Sequence, residues 1–362
     1  MSRKVLYVII ALGFGGAEVQ VVELAAAMRR RGWDPLLVGL AKPLGLEGRA
    51  RELGVAFTDL GFTEGSRDPR MIPRLVRVVR RFGPDVLHTH TLPANFVGRA
   101  ARPLCRVPVM VTSAHNVFEG GRAKMAYYRA TDRLTDLTTN VSPEAVERYV
   151  KIGAVPSADR IRYVPNGMDL DRFAPDPDVR ARTRAELGLT DETFLWLAVG
   201  RHMEQKDYPN LLDALVGLRD RPRWQVAIVG TGPLLDATVA GVRERRLEDR
   251  VRVLGLRTDV ADLMKAADGY VMSSAWEGLP IVLLEAGASA LPLVATDVGG
   301  NREVVTDGAG HLVPPRDAPA LARAMREVMD APQDARRATG ARARARVAGS
   351  FGMDAVSATW DG

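Results

Sequence analysis

Cysteine occurs once in 362 residues, at Cys105. A single thiol excludes an internal disulfide and any Cys-rich metal centre, and it suits a reducing compartment, so a cytoplasmic chain is expected. Aromatic residues make up only 6 % of the chain, with no basic–aromatic interleaving and no recognition-helix pattern, which argues against nucleic acid as a partner. No run of 18 apolar residues occurs, so no membrane span is expected. Met1-Ser2-Arg3-Lys4 before Val5–Leu12 has the charge order of a signal peptide. The apolar run is short, however, and lacks a small-residue cleavage site, so it reads as a buried strand. A dinucleotide fingerprint is missing too. Gly13-Phe14-Gly15-Gly16-Ala17-Glu18 has Glu where the third glycine would stand, and Val38-Gly39-Leu40 carries no acidic residue, so NAD binding is rejected.

What is present is enough chain for two domains, with an ordinary hydrophobic fraction of 46 %. The net charge of +6 is unevenly spread. Residues 1–167 hold 25 Lys+Arg against 15 Asp+Glu, or +10, and the remainder holds 25 against 29, or −4. A basic first half points to an anionic partner on that side, with solvated arginines as the plain alternative.

Short apolar runs alternate with helical patterns, as in βαβ units of a parallel sheet. Val5–Ala11, Pro35–Leu40, Val86–His88, Val109–Ser113 and Leu137–Val141 read as strands, with helices such as Ala17–Arg30 and Met71–Phe82 between them. After a Pro/Asp-rich interval, Pro165–Asp178, the pattern restarts with Phe194–Val199, Trp224–Val229, Val251–Leu254, Tyr270–Met272 and Leu291–Ala295, and with helices such as Tyr208–Arg219 and Ala318–Met329. The expected fold is α/β, two doubly wound Rossmann-like domains joined near Asn166–Gly167, with Ala335–Arg346 as an exposed helix. Ligands in such sheets bind outside the carboxyl ends of the strands, and every motif below falls at one.

Glu277-Gly278-Leu279-Pro280-Ile281-Val282-Leu283-Leu284-Glu285 carries the most chemistry. A strand enters a Gly-x-Pro break, Pro280 suits the first position of a helix, and the helix start offers free N–H groups to an anion such as a diphosphate. Glu277 in the loop and Glu285 about a turn and a half into the helix can accept from sugar hydroxyls on either side of it. Arg201 and Lys206, behind Gly200, can converge on a diphosphate and stabilise it as a leaving group without a metal. Gly15 and Gly16 form a loop able to face a phosphate or an acceptor. Gly230-Thr231-Gly232-Pro233 and Gly255-Leu256-Arg257 are turns that either face a base or are simple turns. His115, after a strand, can reach a sugar hydroxyl. His88-Thr89-His90 has a zinc-like spacing but no third ligand nearby, so structural histidines are expected. Asp169-x-Asp171 resembles a metal-binding carboxylate pair but sits in the linker.

In order along the chain, Gly15-Gly16-Ala17-Glu18, Pro165-Asn166-Gly167-Met168-Asp169, Arg201…Lys206, Gly230-x-Gly232-Pro233 and Glu277-x7-Glu285 resemble the retaining glycosyltransferases of family 4. The resemblance spans nearly the whole chain. It implies a GT-B fold, two Rossmann-like domains facing across a cleft. Residues 1–167 would bind the acceptor, 168–348 the nucleotide sugar, and 349–362 would return toward the first domain. It further implies that Arg201 and Lys206 hold the diphosphate, Glu285 the ribose, and Glu277 with the Gly278–Leu279 backbone the sugar. His115 would lie over the sugar face, Gly15 and Gly16 would close on the phosphates, Gly230, Leu256 and Arg257 would complete the donor site, and neither metal nor cofactor would be needed. Two positions depart from the family: His202 and Asp207 stand where Leu and Gly are frequent, and the terminal segment is short.

The function expected is transfer of a hexose or N-acetylhexosamine, with UDP as the favoured nucleotide, to a glycan or lipid-linked acceptor in cell-surface polysaccharide synthesis. A nucleotide-sugar 2-epimerase and a non-catalytic glycan-binding module are the alternatives. The basic amphipathic stretch Met71–Phe82, with Arg74, Arg77, Arg80 and Arg81, suggests contact with an anionic membrane surface, its apolar side serving equally as a sheet-packing face.

Overall fold

The structure, a computed structural model, describes residues 2–13, 15–117, 121–306 and 308–361. Phe14 of the first glycine loop lies outside the described residues, as do Met1 and Gly362 at the ends of the expected segments. The chain forms two compact units, Met1–Gly167 with Met353–Gly362, and Met168–Gly352. The boundary expected after residue 348 falls inside a helix, Gln333–Phe351, that runs on to an extended Gly352 (φ −60°, ψ 136°). A backbone helix does not divide between two cores, so the chain changes unit at Met353.

The first unit is built on strands β1 Lys4–Ile9, β2 Asp34–Ala41, β3 Ala56–Phe62, β4 Val86–His90, β5 Val109–Ala114, β6 Leu137–Asn140 and β7 Ile161–Tyr163. They form one sheet in the order β3-β2-β1-β4-β5-β6-β7, every pair parallel. The alternation along β1 explains why both faces are covered. Val5, Tyr7 and Ile9 enter the core under helix Gly16–Arg30, while Leu6 and Val8 enter a second core under helix Met71–Phe82. The terminal helix Met353–Asp361 joins the first of these cores through Trp360. Asp361 fastens it by accepting from Trp33 Nε1 at 2.7 Å and pairing with Arg31 and Arg3 at 3.1 and 3.2 Å. A short segment is thus well anchored.

The second unit carries β8 Phe194–Val199, β9 Trp224–Val229, β10 Val251–Gly255, β11 Gly269–Met272, β12 Leu293–Thr296 and β13 Gly310–Val313, in the order β10-β9-β8-β11-β12-β13. All its pairs are parallel. Trp196 and Ala198 of β8 lie beside Val226 and Ile228 of β9 in one core that also takes Leu211 and Leu215 of helix Tyr208–Val216 and Leu321 and Met325 of helix Ala318–Asp330. The tail is not an exposed helix as expected. Gly340, Ala343, Val347 and Phe351 are buried, and a Cβ on Gly340 would stand 1.9 Å from the Ala290 carbonyl oxygen. Its arginines bind backbone: Arg342 Nε donates to Gly308 O at 2.9 Å, Arg346 Nε to Glu303 O at 2.8 Å, and Arg344 to Ala288 O. Among the described residues no helix is long and apolar enough to cross a membrane.

Candidate active site

In both units the sheet order reverses between the first strand and the fourth, at β1/β4 and at β8/β11. Loops leaving two such strands diverge to opposite faces and open a crevice at their carboxyl ends. In the second unit the β8 and β11 loops are laced together there. Ser273 Oγ donates to Lys206 O at 2.8 Å, and Ala275 N donates to Gln205 O at 2.8 Å. That lacing brings Lys206 Nζ to 2.5 Å from Glu277 Oε1. Glu277 also accepts from Gln205 Nε2 at 2.9 Å and Ser274 Oγ at 2.7 Å, and it is 5 % exposed. Burying a carboxylate this deeply is costly unless such a set of donors surrounds it.

Glu285 is the opposite case. It lies in helix Ile281–Ala288, is only partly buried, and has no hydrogen bond or ion pair among the described residues. Burial pushes its carboxyl up to about 7, and Arg172 pulls the other way. Pro280 sits one position earlier than expected. It is the extended residue before the helix (φ −72°, ψ 119°), and Ile281 is the first helical residue. Leu283 N and Leu284 N donate to Pro280 O at 3.1 and 3.5 Å.

The two cations expected to converge on a diphosphate have different surroundings here. Lys206 is turned onto Glu277, whereas Arg201 is exposed and has no ion pair or hydrogen bond among the described residues. The physical reason is that a buried Glu277 attracts the nearer cation. Gly200 gives the Lys206 stem its path, since a Cβ there would stand 2.8 Å from Lys206 Cε. Gly230 and Gly232 have φ of 141° and 155°, and their Cβ atoms would stand 2.0 Å from Gly200 O and 2.5 Å from His202 O. They support the Arg201 loop from beneath. Leu256 is 53 % exposed, and Arg257 forms a two-point pair with Asp259 at 2.8 and 2.5 Å. His202 is buried, with Nδ1 2.9 Å from Thr238 Oγ1. Asp207 holds φ 45°, a conformation that favours glycine, and caps helix Tyr208–Val216.

Sequence reasoning missed Gln205, Ser273, Ser274 and the Gly299–Gly300 turn after β12. Gly299 has φ 54°, and a Cβ on it would stand 2.3 Å from Glu277 O. Gly300 N donates to Gly278 O at 2.5 Å, and the Leu279 side chain is buried against this turn. A Gly-Gly pair just past a strand was the available signal. Asp169 Oδ1 accepts from Asp171 N and Arg172 N at 3.2 and 3.3 Å, which makes it a turn residue.

At the first unit's switch point stands a histidine cluster. His88 and His90 share one face of β4, their rings 4.0 Å apart. His90 Nδ1 lies 3.0 Å from His115 Nε2, and His88 Nε2 lies 2.7 Å from Ser113 Oγ. Burial pushes His88 down to about 3 and His115 to about 4, and holds His90 well below its ordinary value, so all three are neutral at pH 7. Among the described residues no three His, Cys, Asp or Glu side chains are grouped to hold a metal ion. Gly15 precedes the first helical residue, Gly16, and a Cβ on Gly15 would stand 2.2 Å from a Glu18 carboxylate oxygen.

On helix Met71–Phe82 the apolar residues Met71, Leu75, Val76 and Val79 are buried in the sheet core, so that side is a packing face. Arg74 donates to Leu60 O at 2.5 Å and Arg80 to Leu104 O at 2.8 Å, whereas Arg77 and Arg81 are exposed.

Two family models match: glycosyltransferase family 4 over residues 14–172 and glycosyl transferases group 1 over residues 179–346. D-inositol 3-phosphate glycosyltransferase of Kineococcus radiotolerans is 32 % identical over 405 aligned positions, covering 95 % of this chain and 88 % of the relative. UDP-Gal:alpha-D-GlcNAc-diphosphoundecaprenol alpha-1,3-galactosyltransferase of Escherichia coli is 28 % identical over 280 positions, covering 73 % of this chain and 71 % of the relative. Among solved structures, Anabaena HepE in complex with UDP and glucose superposes with a TM-score of 0.88 at 21 % identity over 99 % of this chain and 98 % of that one. Two parallel α/β sheets of seven and six strands and this likeness define a GT-B fold. The chain belongs to the glycosyltransferases of the group 1/family 4 type.

Proposed function

We propose that this glycosyltransferase is a retaining, metal-independent enzyme that moves a hexose or N-acetylhexosamine from a nucleotide sugar, with UDP the favoured nucleotide, to a glycan or lipid-linked acceptor in cell-surface polysaccharide assembly. One observation carries the reading: two carboxylates eight residues apart stand at one switch point in opposite states, Glu277 held by three donors and Glu285 without a partner among the described residues. A polyhydroxyl ligand suits that pair. A fixed carboxylate positions the sugar, an open one accepts from ribose hydroxyls, and the start of helix Ile281–Ala288 favours the diphosphate. The E. coli relative is named for a UDP-galactose donor and a diphosphoundecaprenol-linked acceptor, and HepE was solved with UDP and glucose, which supports the choice of ligand classes.

On this reading Lys206 and Arg201 hold the leaving diphosphate, Gly278 and Leu279 line the sugar, and Gly230, Leu256 and Arg257 lie toward the nucleotide. Gly15, Gly16 and His115 are assigned to the same donor. The bond from the anomeric carbon to the diphosphate oxygen breaks as the acceptor oxygen attacks from the same face. The leaving phosphate oxygen takes the acceptor's proton, and the positive side chains stabilise the charge that develops. Glu277 positions the sugar. Mass spectrometry of UDP-, GDP- and ADP-sugars incubated with glycan and lipid-diphosphate acceptors tests this. Glycosylated acceptor with free UDP, undiminished by EDTA, is the expected result. Interconversion of UDP-N-acetylglucosamine without acceptor points instead to an epimerase, and binding without turnover to a glycan-binding module.

A further inference from the structure

The loop that carries Arg201 is held on both sides of that residue. Gly200 N donates to Val229 O at 2.9 Å, and Gly200 O accepts from the Tyr208 hydroxyl at 3.0 Å. His202 N donates to Thr231 O at 2.9 Å, and His202 O accepts from Leu234 N at 3.0 Å. The backbone groups of both neighbours are therefore committed. The Arg201 side chain between them is exposed, with no ion pair or hydrogen bond among the described residues.

The His202 side chain adds a tie of its own. Its ring is buried, and Nδ1 lies 2.9 Å from Oγ1 of Thr238, in helix Leu235–Glu244. Thr238 Oγ1 also donates to Leu234 O at 3.0 Å, and Leu234 is the residue whose N–H meets His202 O. Ring, hydroxyl and backbone thus close a circuit between the loop after β8 and the loop after β9. The ring also packs on Tyr208, centroids 4.6 Å apart, at the start of helix Tyr208–Val216. Gly232 leaves the backbone room for this, since a Cβ there would stand 2.7 Å from His202 N. A hydroxyl can donate or accept, so the tie to Thr238 holds for either neutral tautomer. Burial disfavours charge on the ring, and the Gly230 backbone beside it works the other way. A cation standing on a fixed base binds an anion more tightly, because less freedom is lost on binding.

We infer that His202 is a positioning residue: through Nδ1 and Thr238 it locks the loop after β8 to the helix after β9, and so presents Arg201 to an anion from a fixed base. The lock stands on the geometry of the second unit alone. That the anion is the donor's diphosphate rests on the function proposed above. Full-length variants test both. His202→Leu removes the ring nitrogens, His202→Asn keeps a polar atom near the Nδ1 position, and His202→Gln carries it toward the Nε2 position. Thr238→Val removes the partner with little change of shape. In the unliganded protein, exchange of the Leu234 amide is expected to quicken about fivefold in His202→Leu and in Thr238→Val, and no further in the double variant. Affinity for UDP or GDP by calorimetry is expected to fall about threefold in the same variants, with Tm little changed. His202→Asn should recover most of both losses and His202→Gln should not. Unchanged exchange and affinity in His202→Leu, losses that add in the double variant, or equal losses in the Asn and Leu variants overturn the proposal. A fall in Tm without a fall in affinity makes the ring structural and overturns it too. Wild type that binds neither nucleotide refutes the donor reading, while the exchange rates still decide the lock.

Discussion

The two units share one plan and fill it with opposite chemistry. Each reverses its strand order between its first and fourth strands, and each places its polar side chains at that reversal. In the first unit the occupants are neutral, three imidazoles kept uncharged by burial and held by rings and hydroxyls. In the second they are charged: a buried Lys206–Glu277 pair, an Arg201 without a partner among the described residues and a carboxyl poised near pH 7. The net charges run the other way, +10 for residues 1–167 and −4 for the rest. Bulk charge therefore says nothing about which switch point is ionic. Some of the first unit's arginines are bound to backbone carbonyls, as with Arg74 and Arg80.

The comparison breaks most visibly at the ion pair. Lys206→Met should lower turnover about a thousandfold and destabilise the fold by about 3 kcal/mol, because Glu277 is left buried without its cation. Adding Glu277→Gln should restore Tm but not turnover, and recovery of both would mean that the pair is structural only. Next in size is His115→Ala, expected to cut kcat about a hundredfold while UDP affinity by calorimetry is unchanged. A matching loss of UDP affinity would erase the proposed division between the units.

A smaller effect concerns Glu285. Its folded pKa is raised above the ordinary 4.5 to about 7, so the folded state holds a proton that the unfolded state has released between those values. Stability from this group is present below pH 4.5 and is lost as pH rises toward 7. Melting curves should therefore show wild type losing Tm relative to Glu285→Gln across that window. KM for the nucleotide sugar should fall as pH rises through about 7, when the carboxylate becomes a full acceptor, and be flat in Glu285→Gln. The smallest effect is at the surface of the first unit. Sedimentation with anionic vesicles at low salt should weaken when Arg74, Arg77, Arg80 and Arg81 are replaced by Ser. Each free basic group contributes about 1 kcal/mol, so Arg77→Ser with Arg81→Ser should account for most of the loss. Unchanged binding in the fourfold variant ends the membrane reading.

Much of the fold was legible because buried parallel strands announce themselves as apolar runs. The three strands not foreseen, β3, β7 and β13, are all at sheet edges, where one side is open and the run is short or mixed. Glu277 and Glu285 could be read from spacing around a helix break, and so could the glycine loops. The partner of Lys206 could not. Pairing is settled by Ser273 and Ala275, which tie two loops about seventy residues apart, and no local pattern reports that. The tail helix was misread for a related reason: its small residues Gly340 and Ala343 look like solvent-facing composition until a neighbouring carbonyl occupies the space beside them.

The Gly299–Gly300 turn has a bearing on engineering. Because any side chain at 299 would press on the Glu277 carbonyl, that turn and the acidic loop can vary only together. Libraries that diversify 299 or 300 would spend most of their members on misplaced backbones. If the nucleotide lies as proposed above, exposed Leu256 and half-buried Arg257, the latter paired with Asp259, offer the tolerant entry for altering which nucleotide is accepted.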